Sequence, residues 1–312
     1  MSKSVIDAKA FHDEAAAYAW VEARVWPEGP ICPHCGGTDR ISKMGGKSTR
    51  IGTYKCYQCR KPFTVKVGTV FESSHVPLRH WLQAMFLLCS SKKGISANQL
   101  ARTLGVTLKT GWFIGHRIRE AMKDVGVEPL GGAGEIVEAD ETYFGDRHVV
   151  TKRTKRGKST HSSKRSIVAL VQRGGRARGV HVPVASQFVV EELMKEGILR
   201  ETEIHTDESR LYNRAAEQFA SHHTVVHSGE EYVRYEQDRT VHTNTVEGYF
   251  SVFKRGMRGT YQHCAEKHLH RYLAEFDFRY NNRVRLGVDD VERTERAVKG
   301  IVGKRLTYRT PH

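Results

Sequence analysis

Strand-length segments alternating with helical ones over residues 135–283 predict an α/β core, and the first 128 residues predict smaller modules ahead of it. Three observations carry that division. Two Cys-x-x-Cys pairs lie near the start. Two helical patterns joined at Leu104-Gly105-Val106 follow. After the glycine-rich linker Leu130-Gly-Gly-Ala-Gly134 the apolar rhythm turns β-favouring. With 39% hydrophobic and 27% charged residues in 312, the chain has enough apolar material to form cores.

Charge narrows the partners. The formal net charge is +15, from 50 Lys+Arg against 35 Asp+Glu. Between Arg40 and Lys123 stand 16 basic residues and only two acids, and Thr151 to Arg178 adds ten basic residues and no acid. The remainder is net negative, at −9. Two basic stretches beside an acidic remainder suggest a surface that grips nucleic acid next to a site that needs carboxylates. Asp7, Asp13 and Glu14 interrupt the first twenty residues, so no secretory signal is expected. The longest apolar run, around Trp81 to Cys89, is about half of the roughly 18 residues a membrane span needs. A soluble, intracellular chain with no membrane partner is the expectation, in a bacterium one associated with the nucleoid.

Each element has its own signal. Residues 5–25 predict an amphipathic helix, with Phe11, Ala15, Tyr18 and Val21 near one face, inside an N-terminal segment 1–27. Residues 28–72 hold Cys32-Pro-His-Cys35 and Cys56-Tyr-Gln-Cys59. Each pair can supply two thiolates from one tight turn, and zinc takes four such ligands in a tetrahedron. A structural zinc ribbon on Cys32, Cys35, Cys56 and Cys59 follows, with His34 outside it and Cys89 and Cys264 as core thiols. Disulfides are disfavoured in a reducing compartment. Residues 76–128 predict an apolar helix from Leu78 to Cys89, then two helices about the Leu104-Gly105-Val106 turn. A basic second helix after such a turn is the helix-turn-helix pattern, and Lys109, Arg117, Arg119 and Lys123 ride on it as expected DNA contacts. A plain helical hairpin would have the same pattern.

Beyond the linker, strands are expected at Glu135–Phe144, Arg165–Gln172, Gly179–Val190, Glu203–Asp207 and Thr224–His227. Helices are expected at 190–197, 209–220, 243–258 and 265–282. Three strands, helix, strand, helix, strand and a closing helix is the order of a ribonuclease H-like core. Between the first two strands lies a basic, Ser/Thr-rich stretch with Lys152, Arg153, Lys155, Arg156 and Lys158. It reads as a hairpin loop that grips phosphate, or as a solvated loop. Residues 284–312 give no clear signal.

Three acids stand out against this frame. Asp140 sits within the first core strand, Asp207 ends the fourth, and Glu247 lies on the closing helix. Adjacent strands and that helix would gather them. Clustered carboxylates repel unless cations neutralise them, so the cluster implies Mg²⁺ or Mn²⁺, two ions of which can activate a nucleophile and stabilise a leaving oxygen at a phosphodiester. Lys254 follows Glu247 by two helical turns and could hold a phosphate on the same face. Glu138, two residues before Asp140, reads as a salt-bridge former or a minor metal contact.

The quoted motifs, with Val137-Glu-Ala-Asp140-Glu-Thr-Tyr-Phe-Gly145, His205-Thr-Asp207, His242-Thr-Asn244-Thr-Val-Glu247 and Phe278-Arg-Tyr-Asn281, resemble those of bacterial insertion-sequence transposases. The group is the ISXO2-like one, with a zinc ribbon and a ribonuclease H-like DDE core. The resemblance implies a transposase that cuts transposon ends and joins them to target DNA, both double-stranded, without a covalent protein–DNA intermediate. It implies a homodimer or larger assembly on DNA. Members of the group complete the metal site with Asn or Glu, followed by Lys, and this chain offers both Asn244 and Glu247. Charge balance favours Glu247, with Asn244 as the other candidate third ligand. The alternative from another class is a DNA-binding regulator that has the ribbon and the helix-turn-helix but no catalysis. His268-Leu-His270, with Tyr308, resembles a single-strand nuclease or tyrosine recombinase motif, but it falls in an amphipathic helical run that parts the two histidines.

Overall fold

A computed structural model describes residues 4–124, 126, 128–145, 149–154, 157–162, 164–236 and 239–307. The side chains of 146–163 are not among what it describes. The chain divides into two units, Met1–Asp124 with Asn282–His312, and Val125–Asn281. None of the described helices is long and apolar enough to cross a membrane.

In the first unit, helix α1 (Glu14–Val25) starts later than the periodicity predicts, and residues 5–11 form two short 3₁₀ turns. Asp13 sets the start: its carboxylate accepts the Ala16 N–H at 2.7 Å, a side-chain cap that fixes where the helix begins. Glu14 then accepts the N–H groups of Leu78 and Arg79, at 2.7 and 3.2 Å, tying α1 to the start of the next helix. Between them lies a three-stranded antiparallel ribbon, β1 (Ile41–Lys43), β2 (Tyr54–Cys56) and β3 (Pro62–Phe63). Its small core is Cys32, Cys56 and Phe63, flanked by Trp26 and Tyr54.

Helix α2 (Leu78–Ser90) buries Trp81, Leu82, Met85 and Leu88. Helices α3 (Ala97–Leu104) and α4 (Leu108–Ala121) are capped by Ser96 and Thr107, and α3 ends at Gly105 with φ 64°. Their close approach depends on Gly111, where a Cβ would stand 3.0 Å from the Ala97 carbonyl and the Ala101 Cβ. The pair is a helical hairpin. Two of its basic residues are not where a DNA-reading helix would need them: Arg117 is 3% and Arg119 4% exposed. Arg117 donates to the carbonyls of Glu72 and Leu306, so it serves packing within the unit. Lys109 is exposed, and Lys123 pairs with Glu120 at 2.7 Å.

The C-terminal segment folds into this same unit through a helix at Asp290–Lys299, capped by Asp289. Arg293 is buried there and donates to the carbonyls of Cys89, Asn282 and Val288. With Arg293, Thr294, Ala297 and Val298 on its buried face, the helix has few apolar residues for a sequence pattern to find.

The second unit is built on five strands in the order β10-β9-β4-β7-β8. They are β4 (Ile136–Phe144), β7 (Arg165–Gln172), β8 (Ala177–Val182), β9 (Glu203–Asp207) and β10 (Ser221–Val225). The pairs β4/β7 and β7/β8 are antiparallel, and β4/β9 and β9/β10 are parallel. Between β4 and β7 runs a hairpin of β5 (Val149–Thr154) and β6 (Gly157–Ser162). A second hairpin, β11 (Val233–Glu236) with β12 (Arg239–His242), was not anticipated. The mixed sheet, with three antiparallel strands at one edge and two parallel ones at the other, is consistent with a ribonuclease H-like core.

Helix α5 (Gln187–Gly197), capped by Ser186, covers one face of the sheet with Val137, Ala139, Val168 and Leu170. Helices α7 (Asn244–Gly256) and α8 (Leu269–Asn281) cover the other, against Phe144, Ile167, Ala169 and Val171. Strand β8 is shorter than expected, ending one residue before Pro183, which cannot donate to a ladder. The helix expected at 209–220 contracts to α6 (Asn213–Ala216). Gly179 lets α8 come close: its N–H donates to Asp277, and a Cβ there would lie 2.5 Å from the Tyr249 hydroxyl.

Phe253 is fully buried on α7 and packs edge-on against Phe144 and Phe276. Phe253→Ala is expected to cost about 3–5 kcal/mol of stability, because the void it leaves cannot close fully. Thermal unfolding followed by circular dichroism reads the loss.

Candidate functional site

The candidate metal centre of the ribbon is assembled by two tight turns. The Gly36 N–H donates to the Cys32 carbonyl and the Cys32 N–H to the Gly37 carbonyl, curling the first pair. The Cys56 N–H donates to the Lys61 carbonyl and curls the second. The four sulfurs of Cys32, Cys35, Cys56 and Cys59 lie within 4.8 Å of one another, with Cys32–Cys59 at 3.6 Å and Cys35–Cys56 at 3.7 Å. A tetrahedron with Zn–S bonds of about 2.3 Å has edges of about 3.8 Å, so the spacing fits zinc. His34 is exposed and outside the quartet. The N–H groups of Cys59 and Gln58 draw the Cys56 thiol down to about 7, helped by the neighbouring sulfurs. Cys35 is pushed up to about 12: the Gly37 N–H lowers it, but burial and the other three thiols outweigh that. One sulfur ionises readily and its neighbours then resist, which a dication at the centre of the quartet relieves.

The acidic site sits in the second unit. Along β4, Val137 and Ala139 enter one core, so Glu138 and Asp140 project from the opposite face, the one that α7 covers. Strand β9 runs parallel, with Glu138 paired to His205. Two residues beyond that last pair, along the two strands, stand Asp140 and Asp207 on the same face. Asp207 is near enough for its charge to raise Asp140. Burial pushes Asp140 up to about 7, with the charges of Asp207, Glu141 and Glu247 adding to it, against the Glu141 N–H that donates to it at 2.7 Å. Asp207 is also raised, by burial first and then by Glu208, while the Ser209 N–H at 3.0 Å and His227 oppose the shift. Glu141 is raised by burial although the Tyr212 hydroxyl donates to it at 2.5 Å.

Helix α7 brings the remaining candidates. Asn244 and Glu247 are both exposed in its first turn. Glu247 Oε1 lies 3.5 Å from His227 Nε2 and accepts from the Thr243 hydroxyl at 3.5 Å. Lys254, two turns on, is lowered by burial, and the Asp140 carboxylate acts against that shift. Asp207 and Glu247 are close enough for their charges to raise Asp140, but the three acids do not form a tight cradle. Among the described residues only the cysteine quartet gathers three or more ligand atoms within 4.8 Å. Glu138 is fully buried and ion-paired to Arg173 at 2.7 Å, as a salt-bridge former rather than a contact at the acidic site. His227, Tyr212 and Arg173 escaped the sequence reading. Each lies outside any motif, and only folding brings it to the acids or to Glu138.

Of the basic hairpin expected to meet phosphate, Lys155 and Arg156 lie outside the described residues, as do the side chains of Lys152, Arg153 and Lys158. The backbone pairs β5 with β6 from Val149–Ser162 to Thr154–Gly157. His268 and His270 fall on a 3₁₀ turn and on α8, not on a strand, so the single-strand nuclease motif has no scaffold here. Tyr308 lies outside the described residues.

Comparison with known proteins places these features. Residues 130–281 match the ISXO2-like transposase domain, and residues 12–62 match the transposase zinc-ribbon domain. A protein described as an uncharacterized protein in transposable element ISH50 of Halobacterium salinarum is 28% identical over 284 residues, covering 87% of this chain and 92% of the relative. A chain from the cryo-EM structure of a simian T-cell lymphotropic virus intasome with a PP2A regulatory subunit aligns at 14% identity. Its TM-score is 0.28, and the match covers 57% of this chain and 63% of that one, too weak a likeness to bear on function.

Two expectations follow. Cys56→Ser removes one of four ligands, so bound zinc measured by mass spectrometry should fall by about one equivalent, and proteolysis should open residues 28–72. The second concerns Asp140. Its folded-state value of about 7 exceeds the ordinary 3.8, so the native state binds a proton more tightly than the unfolded chain and loses stability as pH rises through that window. In metal-free protein Asp140→Asn should therefore raise Tm, on the order of 5 °C at pH 8 and less at pH 5, by calorimetry.

Proposed function

This chain belongs to the ISXO2-like transposases, and from that premise we propose that it cuts DNA strands at transposon ends and joins them to target DNA in a metal-dependent reaction. The observation that carries the reading is the set of carboxylates at Asp140, where burial and like charge push one acid up to about 7. Such a site destabilises itself unless cations occupy it. Its donors are hard oxygens, which suit Mg²⁺ or Mn²⁺. Bound there, two such ions would supply an activated nucleophile and charge stabilisation at the scissile phosphate.

The protein's own groups do the positioning. Asp140 on β4 and Asp207 at the end of β9 hold one side of the site. Glu247, with Asn244 as the other candidate, supplies the third ligand from α7. Lys254 faces the same carboxylates and holds a non-bridging phosphate oxygen. In the first step a water oxygen attacks phosphorus, losing a proton to solvent, and the 3′-oxygen leaves and takes up a proton to become a hydroxyl. In the second, the freed 3′-hydroxyl attacks a target phosphodiester, and one phosphodiester bond replaces another. No covalent protein–DNA bond is needed. Lys109 and the β5–β6 hairpin, with Lys152, Arg153, Lys155, Arg156 and Lys158, grip the DNA backbone. Pairing two transposon ends calls for at least a dimer.

The test is cleavage and joining on the ends of its own element, with Mg²⁺ or with EDTA. Wild type should cut and join only with metal. Asp140→Ala and Asp207→Ala should lose activity by about 10³-fold or more while keeping DNA affinity. Between Glu247→Gln and Asn244→Ala, the variant that abolishes joining identifies the third ligand. Tight DNA binding with no cutting under any metal would make the chain a non-catalytic DNA-binding regulator instead.

A further inference from the structure

The start of α7 is held by an unusual partner. Thr243, at the N-cap position, makes no side-chain cap bond. The N–H groups of Thr245 and Val246 instead donate to Glu138 Oε2, at 2.7 and 2.9 Å. The Thr245 hydroxyl donates to Glu138 Oε1 at 2.8 Å. A carboxylate from strand β4, more than a hundred residues earlier in sequence, thus takes the place of the cap and meets the positive end of the helix. Glu138 is fully buried, and its charge is balanced by Arg173 at 2.7 Å. That guanidinium is itself fixed by the carbonyls of Thr240 and His242 and by His205 Nδ1.

Glu138 and Asp140 project from the same face of β4 about 7 Å apart, and Asn244 and Glu247 occupy the first turn of the helix that Glu138 holds. We propose that Glu138 is a positioning residue. Its carboxylate locks the N-terminus of α7 onto β4 and so sets the distance from Asp140 to the third metal ligand. This rests on the metal-binding reading of the acidic site. Buried as it is, Glu138 touches neither DNA nor metal and acts only through α7. The sequence Glu138-Ala-Asp140 therefore couples two functions on one strand: the second acid holds the cation, and the first sets where the opposite wall stands.

The experiment has two arms on purified full-length protein. Amide hydrogen exchange of the metal-free protein reports the lock directly, and titration with Mn²⁺ alone reports its consequence. In Glu138→Gln the Thr245 and Val246 amides should exchange at least about tenfold faster, while Leu170 in β7 keeps its protection. Mn²⁺ affinity should fall about 10–100-fold, the usual effect of losing a partner that orients a ligand. Thr245→Val loses one of the three bonds and leaves Arg173 paired, so it should show the same two changes, smaller, even if Glu138→Gln fails to fold. Unchanged Mn²⁺ affinity in a folded Glu138→Gln or Thr245→Val with faster exchange would overturn the positioning role. Wild type that binds no Mn²⁺, or Asp140→Ala that binds it equally well, would instead overturn the metal site on which the proposal rests.

Discussion

Two carboxylates on neighbouring parallel strands, facing the same side, repel each other at short range with little water to screen them. Much of the second unit is arranged around that constraint. The β4–β9 register, last paired at Glu138 and His205, leaves Asp140 and Asp207 on one face, and the sheet cannot slip by one residue without turning Val137, Ala139 and Ile204 out of their core. The apolar side of the sheet thus enforces the unfavourable arrangement on its polar side. The Glu141 N–H donates to Asp140 and the Ser209 N–H to Asp207, which offsets part of the repulsion. Burial first, and then the charge of Asp207, still push Asp140 up to about 7.

The network around Arg173 answers a second need. Helix α7 carries Asn244, Glu247 and Lys254 but touches the sheet through an aromatic and aliphatic face, Val246, Tyr249, Phe250 and Phe253. Apolar contacts set how deep a helix lies more firmly than where it sits along its axis. Polar contacts at the helix end supply the missing restraint, and a buried, fully paired Glu138 is suited to it because its bonds are directional. Leaving any member of such a network unpaired is costly, which gives the arrangement its specificity.

The first unit solves a different problem. The ribbon's three short strands cannot enclose much apolar surface, and the sulfur quartet stands where a larger domain would have a hydrophobic centre. Elsewhere in this unit charges do structural work: half-buried Glu14 caps α2, while buried Arg117 reaches the carbonyls of Glu72 and Leu306 and buried Arg293 those of Cys89, Asn282 and Val288. A high count of basic residues in this part of the chain is therefore not a count of DNA contacts, since several are consumed inside the fold.

Features that rest on local chemistry were legible in the residues alone. The Cys-x-x-Cys spacing identified the ribbon ligands because each pair needs only one tight turn. Strand and helix periodicities placed β4, β7, β9, α2 and α4 nearly to the residue, and motif resemblance led to the family. Asp140 within a β-favouring segment, Asp207 at a strand end and Glu247 near a helix start were legible as candidate acids. Which charges face solvent and which are buried emerges only when distant elements pack. Arg117 and Arg119 read as surface cations because periodicity cannot tell a solvent-facing arginine from one that caps carbonyls inside. The helix at Asp290–Lys299 was hidden because its buried face is an arginine and small residues. The pairing of Glu138 with α7 joins residues more than a hundred positions apart, and no local pattern encodes a bond that exists only once two distant elements have packed.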